Sequence, residues 1–159
     1  MRGKMKFCGS LSVRKKSVVM FAIVALTGCT SINVKPVEEV STIKHVCIKE
    51  CPEDCFVEDM LTVIEEGFER NGVSTERFVG NDPPADCEYH LKYSCNRGWD
   101  FATYMTHAEL RLLQGRKLVG SAVYHLVGGG GFSVLKWQGT KTKMDPVIDE
   151  LLGKKRIGD

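Results

Sequence analysis

Between Thr42 and Leu152 the spacing of apolar positions changes several times, and each change marks an element. Thr42-Ile43-Lys44-His45-Val46-Cys47-Ile48 has the two-residue period of a strand. Val57, Met60, Leu61, Ile64 and Phe68 then fall on one face at helical spacing. Pro52 suits the first position of that helix, Glu53, Asp54, Glu58 and Asp59 lie where its dipole favours anions, and Asn71-Gly72 is a stop signal. Val73 to Val79 reads as a second strand, followed by the loop Asn81-Asp82-Pro83-Pro84. From Cys87 to Cys95 the residues Tyr89, Leu91, Tyr93 and Cys95 alternate with His90, Lys92 and Ser94, and Asn96-Arg97-Gly98 is read as a hairpin turn.

Trp99 to Leu113 is predicted to be one long strand. Its core face carries Ala102, Tyr104, Ala108, Leu110 and Leu112. The half-solvated opposite face carries Phe101, Thr103, Met105, His107, Glu109 and Arg111. Gln114-Gly115-Arg116 turns it into a strand from Leu118 to Val127, completing an antiparallel meander. Gly128 to Gly131 breaks the pattern. Met144, Val147, Ile148, Leu151 and Leu152 then form the stripe of a second helix. Asp145-Pro146 provides its cap and first position, or else Pro146 lies within the first turn of a helix begun earlier. Gly153 and Lys154-Lys155-Arg156 end it. The order β-α-β-β-β-β-α predicts an α+β fold: a two-layer sandwich, with a mainly antiparallel sheet of about five strands and two helices on one face.

The chain upstream of this domain has a different character. Residues 1–16 carry Arg2, Lys4, Lys6, Arg14, Lys15 and Lys16 without an acid, and Ser17 to Thr27 is an apolar run ending in Leu26-Thr27-Gly28-Cys29. A basic region, a short apolar region and small residues at a cleavage point define a secretory signal. The run is too short to span a bilayer, which takes roughly 20 residues. Leu26-Thr27-Gly28-Cys29 closely resembles the lipobox of bacterial lipoproteins. That resemblance implies removal of residues 1–28, a diacyl thioether on Cys29 and usually an N-acyl chain, palmitate among them. Thr30, rather than an aspartate, follows the cysteine, which implies the periplasmic face of the outer membrane. Residues 29–40 read as a lipidated polar tether and 41–159 as a single periplasmic domain.

Cleavage changes the charge and cysteine balance. The full chain of 159 residues has a formal net charge of +2; loss of the leader leaves 16 basic against 20 acidic residues, near −4. That balance does not suggest nucleic acid as a partner. Cys47, Cys51, Cys55, Cys87 and Cys95 remain after Cys29. In an oxidising compartment disulfides are the first reading, and the odd number leaves a free or intermolecular thiol. Cys87 and Cys95 lie roughly 26 Å apart in one extended strand and do not pair with each other. The competing reading is a metal or enzymatic centre at His45, Cys47, Cys51 and Cys55, but Cys-x3-Cys without a second matching pair is a weak signal.

Other candidate chemistry is thin. The run Gly128-Gly129-Gly130-Gly131 lacks the Lys-Ser/Thr of a phosphate loop, so a tightly bent or flexible connection is the better reading. His45, His90, His107 and His125 sit in no nucleophile or HExxH motif. Glu58, Asp59, Glu65, Glu66 and Glu69 read as the wet face of the first helix. Trp99, Phe101, Tyr104, Phe132 and Trp137 read first as core; exposed together, they would mark an interface.

Residues 41–152 resemble a small, uncharacterised Sbal-type family of bacterial envelope lipoproteins. The resemblance rests on Ile43-Lys44-His45-Val46-Cys47-Ile48, Trp99-Asp100-Phe101-Ala102-Thr103-Tyr104 and the stretch from Lys136 to Pro146. It implies no activity. The element order is similar to that of envelope accessory domains such as the N-terminal domain of TolB or LptE, a likeness of topology that carries no function. The resulting expectation is a non-enzymatic, lipid-anchored envelope protein without a cofactor. It would bind another envelope component, with a lipid or glycan binder as a further alternative. The sequence leaves its oligomeric state open.

Overall fold

The computed structural model describes residues 30–50, 52–127 and 134–154. Six strands form one mixed sheet: β1 (Thr30–Lys35), β2 (His45–Lys49), β3 (Ser74–Phe78), β4 (Tyr89–Asp100), β5 (Ala102–Gln114) and β6 (Lys117–Leu126). Two α-helices accompany it, α1 (Met60–Arg70) and α2 (Thr140–Leu151), with single 3₁₀ turns at Val40–Thr42 and Val134–Trp137. The strand order is β1-β6-β5-β4-β2-β3. β4, β5, β6 and β1 pair antiparallel, whereas β2 lies parallel to both β3 and β4. The parallel β2–β3 pair needs a crossover, which α1 supplies.

One hydrophobic core joins the sheet to both helices. Val46, Ile48, Leu91, Leu110, Leu112, Ala122 and Tyr124 meet Ile64 and Phe68 of α1 and Met144, Val147, Ile148 and Leu151 of α2. The α+β class and the helical stripes are as the sequence predicts; the sheet has six strands rather than about five.

The extra strand lies in the segment read as a tether. Thr30–Lys35 pairs with β6 along its whole length, from Thr30↔Leu126 to Lys35↔Ser121. Ile32 and Val34 pack against the core, Val37 is buried and its N–H bonds the Leu151 carbonyl at 2.9 Å. Two apolar side chains at alternate positions suffice for an edge strand, because its hydrogen bonds come from the neighbour.

Helix α1 begins at Met60, not Pro52. The intervening residues are held by β4 instead: Cys55 forms a bridge with Cys95, Cys95 N–H bonds the Asp54 carbonyl and Phe56 N–H bonds the Cys95 carbonyl, each at 3.0 Å. Both helices end in Schellman motifs. Gly72 (φ 76°) follows α1, with Val73 N–H on Phe68 O, and Gly153 (φ 79°) follows α2, with Lys154 N–H on Asp149 O. Asn71 Nδ2 donates to Gly67 O at 2.7 Å and to Asp149 Oδ1 at 2.8 Å, tying the two helices together. Helix α2 starts at Thr140, so Pro146 stands beyond the first turn and leaves the Thr142 carbonyl without its helical donor.

The meander also departs from expectation. Asn96-Arg97-Gly98 is not a turn; β4 runs through it to Asp100, and the reversal occurs at Phe101, with Asp100 paired to Ala102. Thr106 is a bulge: Asn96 pairs with His107 while Arg97 pairs with Met105. A bulge shifts the alternation by one. Hence Ala108, Leu110 and Leu112 face the core as expected, but on the tip side of Thr106 it is Met105 that is buried, while Ala102 is exposed and Tyr104 only half-buried.

Candidate functional site

Four of the five domain cysteines are cross-linked. Cys47 is joined to Cys87, with Cα atoms 6.2 Å apart, and Cys55 to Cys95, with Cα atoms 4.2 Å apart. The first fastens β2 to the approach of β4, and the second fastens the segment before α1 to β4 itself. Cys87 and Cys95 do not pair with each other. Cys51 and Cys29 lie outside the described residues, as do the glycine run and Phe132.

The four-residue metal set is not brought together, since Cys47 and Cys55 are consumed in different disulfides. His45, Cys47 and Cys87 do have ligand atoms within 4.8 Å of one another. The two sulfurs are bonded to each other, however, and a disulfide offers no thiolate. His45 is satisfied at the surface instead, with Nδ1 2.9 Å from Ser74 Oγ and Nε2 3.4 Å from Glu76.

The remaining histidines and acids are dispersed. His107 and His125 face each other across β5 and β6, edge to face at 5.8 Å. His90 is buried beside Cys47 in the sheet, and its Nδ1 has no hydrogen-bond partner among the described residues. Burial, and after it the Lys92 charge, hold its pKa below the usual histidine range. Glu65 pairs with Arg77, Glu66 with Lys141, and Arg70 with Asp145 and Asp149. These acids lock elements together: Glu66 and Asp145 meet on Lys141, and Asp145 and Asp149 meet on Arg70, so each of these carboxylates is engaged by a cation. Two depressions, one bordered by Lys35, Glu38, Glu39 and Lys117 and the other by Lys49, Glu53, Asp54 and Lys92, are open and charged.

The most distinctive arrangement is the tip of the β4–β5 hairpin. Trp99 is 77% exposed and Phe101 is 89% exposed. Phe101 occupies the left-handed region at φ 60°, which favours glycine and costs a bulky residue about 1–2 kcal/mol. The aromatic set expected in the core is therefore displayed at the surface in part. Gly98 permits the close crossing beneath it: a Cβ there would lie 2.9 Å from Thr106 Cγ2 and 3.0 Å from the Tyr104 ring.

A brace holds the tip from behind. Lys136 Nζ pairs with Asp100 Oδ2 at 2.5 Å, and Trp137 Nε1 donates to the Asp100 carbonyl at 3.0 Å. The Lys136 ammonium also lies 4.5 Å from the Trp137 ring centre and 5.5 Å from that of Tyr104, within cation–π range. Beneath it, buried Lys143 donates to Lys136 O at 2.6 Å and Met105 O at 3.2 Å, and burial pushes its pKa below the usual lysine range. Sequence reasoning missed Lys136 and Lys143. A basic run from Lys136 to Lys143 has the signature of a solvated face, and only the positions of Asp100 and the Met105 carbonyl reveal otherwise. The resulting unit is an aromatic-tipped hairpin braced by Lys136 and Trp137.

No family model and no curated protein matches the chain. Among solved structures it is similar to the PelC dodecamer from Paraburkholderia phytofirmans, with a TM-score of 0.51 and 10% identity, over 80% of this chain and 100% of that one. A point variant of the same dodecamer aligns over the same shares, with a TM-score of 0.52 and 11% identity. At that identity the likeness is one of fold.

Proposed function

We propose that this is a non-enzymatic, lipid-anchored envelope protein whose domain serves as a binding or accessory module for another envelope component. The observation that carries the reading is Leu26-Thr27-Gly28-Cys29 after a basic, apolar leader. The two disulfides support it, because such bonds persist in oxidising compartments such as the periplasm. Among the described residues no helix is long and apolar enough to cross a membrane. In this reading attachment comes from the acyl chains on Cys29, two or three of which hold a protein stably where one is marginal. The favoured location is the periplasmic face of the outer membrane. The domain itself is read as two layers, both helices covering one face of the sheet. The resemblance to an Sbal-type lipoprotein family belongs to the same reading.

The similar PelC structures are dodecamers, which makes further copies of this chain the first partner to test. Replacing Cys29 by Ala is expected to abolish acylation and lipoprotein processing and to move the protein out of the membrane fraction. Unchanged processing and membrane partitioning of Cys29→Ala would sink the anchor. Light scattering of the acylated protein in detergent, and crosslinking in envelope preparations, test the module: a strict monomer that crosslinks to nothing argues against a binding role.

A further inference from the structure

The strand registers fix which end of the sheet faces the anchor. Thr30 opens β1 and pairs with Leu126, the last residue of β6; Ser31 pairs with His125, which pairs with His107 of β5. From His107 the hairpin continues through Met105 to Ala102 and Phe101, away from β6 and β1. The partner strand covers this distance in four residues, Asn96 to Asp100, the bulged Thr106 adding no length, which amounts to roughly 13 Å of projection. Thr30, the residue that follows Cys29 in the sequence, thus lies at the same end of the molecule as the hairpin tip.

Other surface features gather there too. Of the six large apolar side chains exposed among the described residues, Trp99, Phe101, Val127 and Trp137 belong to this end. Val127 follows β6 directly, and Trp137 is hydrogen-bonded to the tip. Exposed Arg97 stands just behind Trp99, placed to reach lipid phosphates while the rings go deeper. Several of the polar groups that would oppose entry into an interface are already matched. Asp100 is neutralised by Lys136, its carbonyl accepts from Trp137, and the strands pair up to Asp100↔Ala102. Such matching lowers the desolvation penalty of a polar turn.

We infer that the β4–β5 hairpin tip is a second membrane contact, at which Trp99 and Phe101 dip into the lipid surface beside the acyl anchor. The inference rests on the anchored reading above and adds an orientation to it. A protein partner for the tip is the alternative that the test separates. Trp and Phe at the headgroup level suit amphipathic and apolar rings respectively, and a depth of about 5–10 Å is typical of interfacial segments. The projection is long enough to reach that depth from a domain held at Cys29.

The chain contains two tryptophans, so Trp137→Phe leaves Trp99 as the sole emitter. The full-length acylated protein is reconstituted into phosphatidylethanolamine–phosphatidylglycerol vesicles containing phospholipid brominated near the top of the acyl chain, or, in parallel, near its end. The expected result is a blue shift of Trp99 emission on vesicle binding, with loss of most of the emission to the shallow quencher and less to the deep one. Where Trp137→Phe does not fold, Trp99→Phe compared with the unaltered chain gives the same signal by difference. Acylated protein that floats with the vesicles while Trp99 remains unquenched overturns the tip contact and leaves the anchor standing. A blue shift without quenching that appears with a crosslinked oligomer assigns the tip to a protein interface and likewise overturns it. Protein that carries no acyl group by mass spectrometry and fails to float removes the anchored reading and the tip contact together.

Discussion

Phe101 and Lys143 are the residues whose positions make least sense as mere scaffolding. A phenylalanine that is both exposed and left-handed adds nothing to the core and strains the backbone, so Phe101→Gly should leave stability unchanged or raise it by up to about 1 kcal/mol. Urea denaturation checks this, and marked destabilisation would show that Phe101 supports the fold. Lys143 is held as a cation among carbonyl groups, with its pKa depressed by burial. Below its folded pKa the ammonium is buried at a cost. As pH rises from there towards the ordinary lysine range, the unfolded chain binds more protons than the folded one, and stability increases. Lys143→Met should remove that rise, whose slope for one proton is at most about 1.4 kcal/mol per pH unit. His90 has the complementary acid-side behaviour. Its depressed pKa means that the unfolded chain takes up the proton first as pH falls through the usual histidine range, so stability drops there. In denaturation series from about pH 7.5 to about pH 5, spanning the ordinary histidine range, His90→Leu should show a shallower loss than the unaltered protein; parallel curves would refute the assignment.

At the scale of elements, α1 and α2 come into close contact where Gly67 meets Ile148. A Cβ on Gly67 would lie 2.8 Å from Ile148 Cγ2 and 2.9 Å from its Cδ1. Alanine gains up to about 1 kcal/mol in helix propensity, whereas overpacking costs about 1–3 kcal/mol, so Gly67→Ala should be net destabilising by about 1 kcal/mol. A raised urea midpoint would show that the helices separate freely. The elements also show what the chain discloses. The stripe Met144, Val147, Ile148, Leu151, Leu152 and the stops Gly72 and Gly153 are legible because helix periodicity and left-handed caps are local properties. β1 is hidden because Ile32 and Val34 gain strand character only from β6. The start of α1 is misplaced because Pro52-Glu53-Asp54 is good cap chemistry that the Cys55–Cys95 link overrides. The reversal at Phe101 is hidden because Asn96-Arg97-Gly98 offers the stronger turn residues, yet the chain turns at a bulky aromatic flanked by Asp100 and Ala102. The brace is invisible locally, since Lys136 and Asp100 are 36 residues apart.

For the molecule as a whole, the two disulfides overlap, each closing a sequence separation of 40 residues. A loop of that length restricts the unfolded chain by about 4 kcal/mol, and two overlapping loops contribute less than twice that. Exchanging Cys55 and Cys95 together for Ser should cost about 2–5 kcal/mol and lower the thermal midpoint, as should mild reduction of the unaltered protein. A midpoint insensitive to reductant would show that the sheet holds without its staples. The edge strand β1 bears on the protein's range of action. On the proposed anchored reading, Cys29 is bonded directly to Thr30, the first residue of β1, so the acyl chains would join the domain without a long leash. A globule of this size is roughly 35 Å across, and in that reading it would sweep only the layer of that thickness next to the bilayer. Its partners must then be found within that layer or extend into it. In that reading its encounters would be collisions in a plane, governed by copies per unit area of membrane rather than by concentration in a volume.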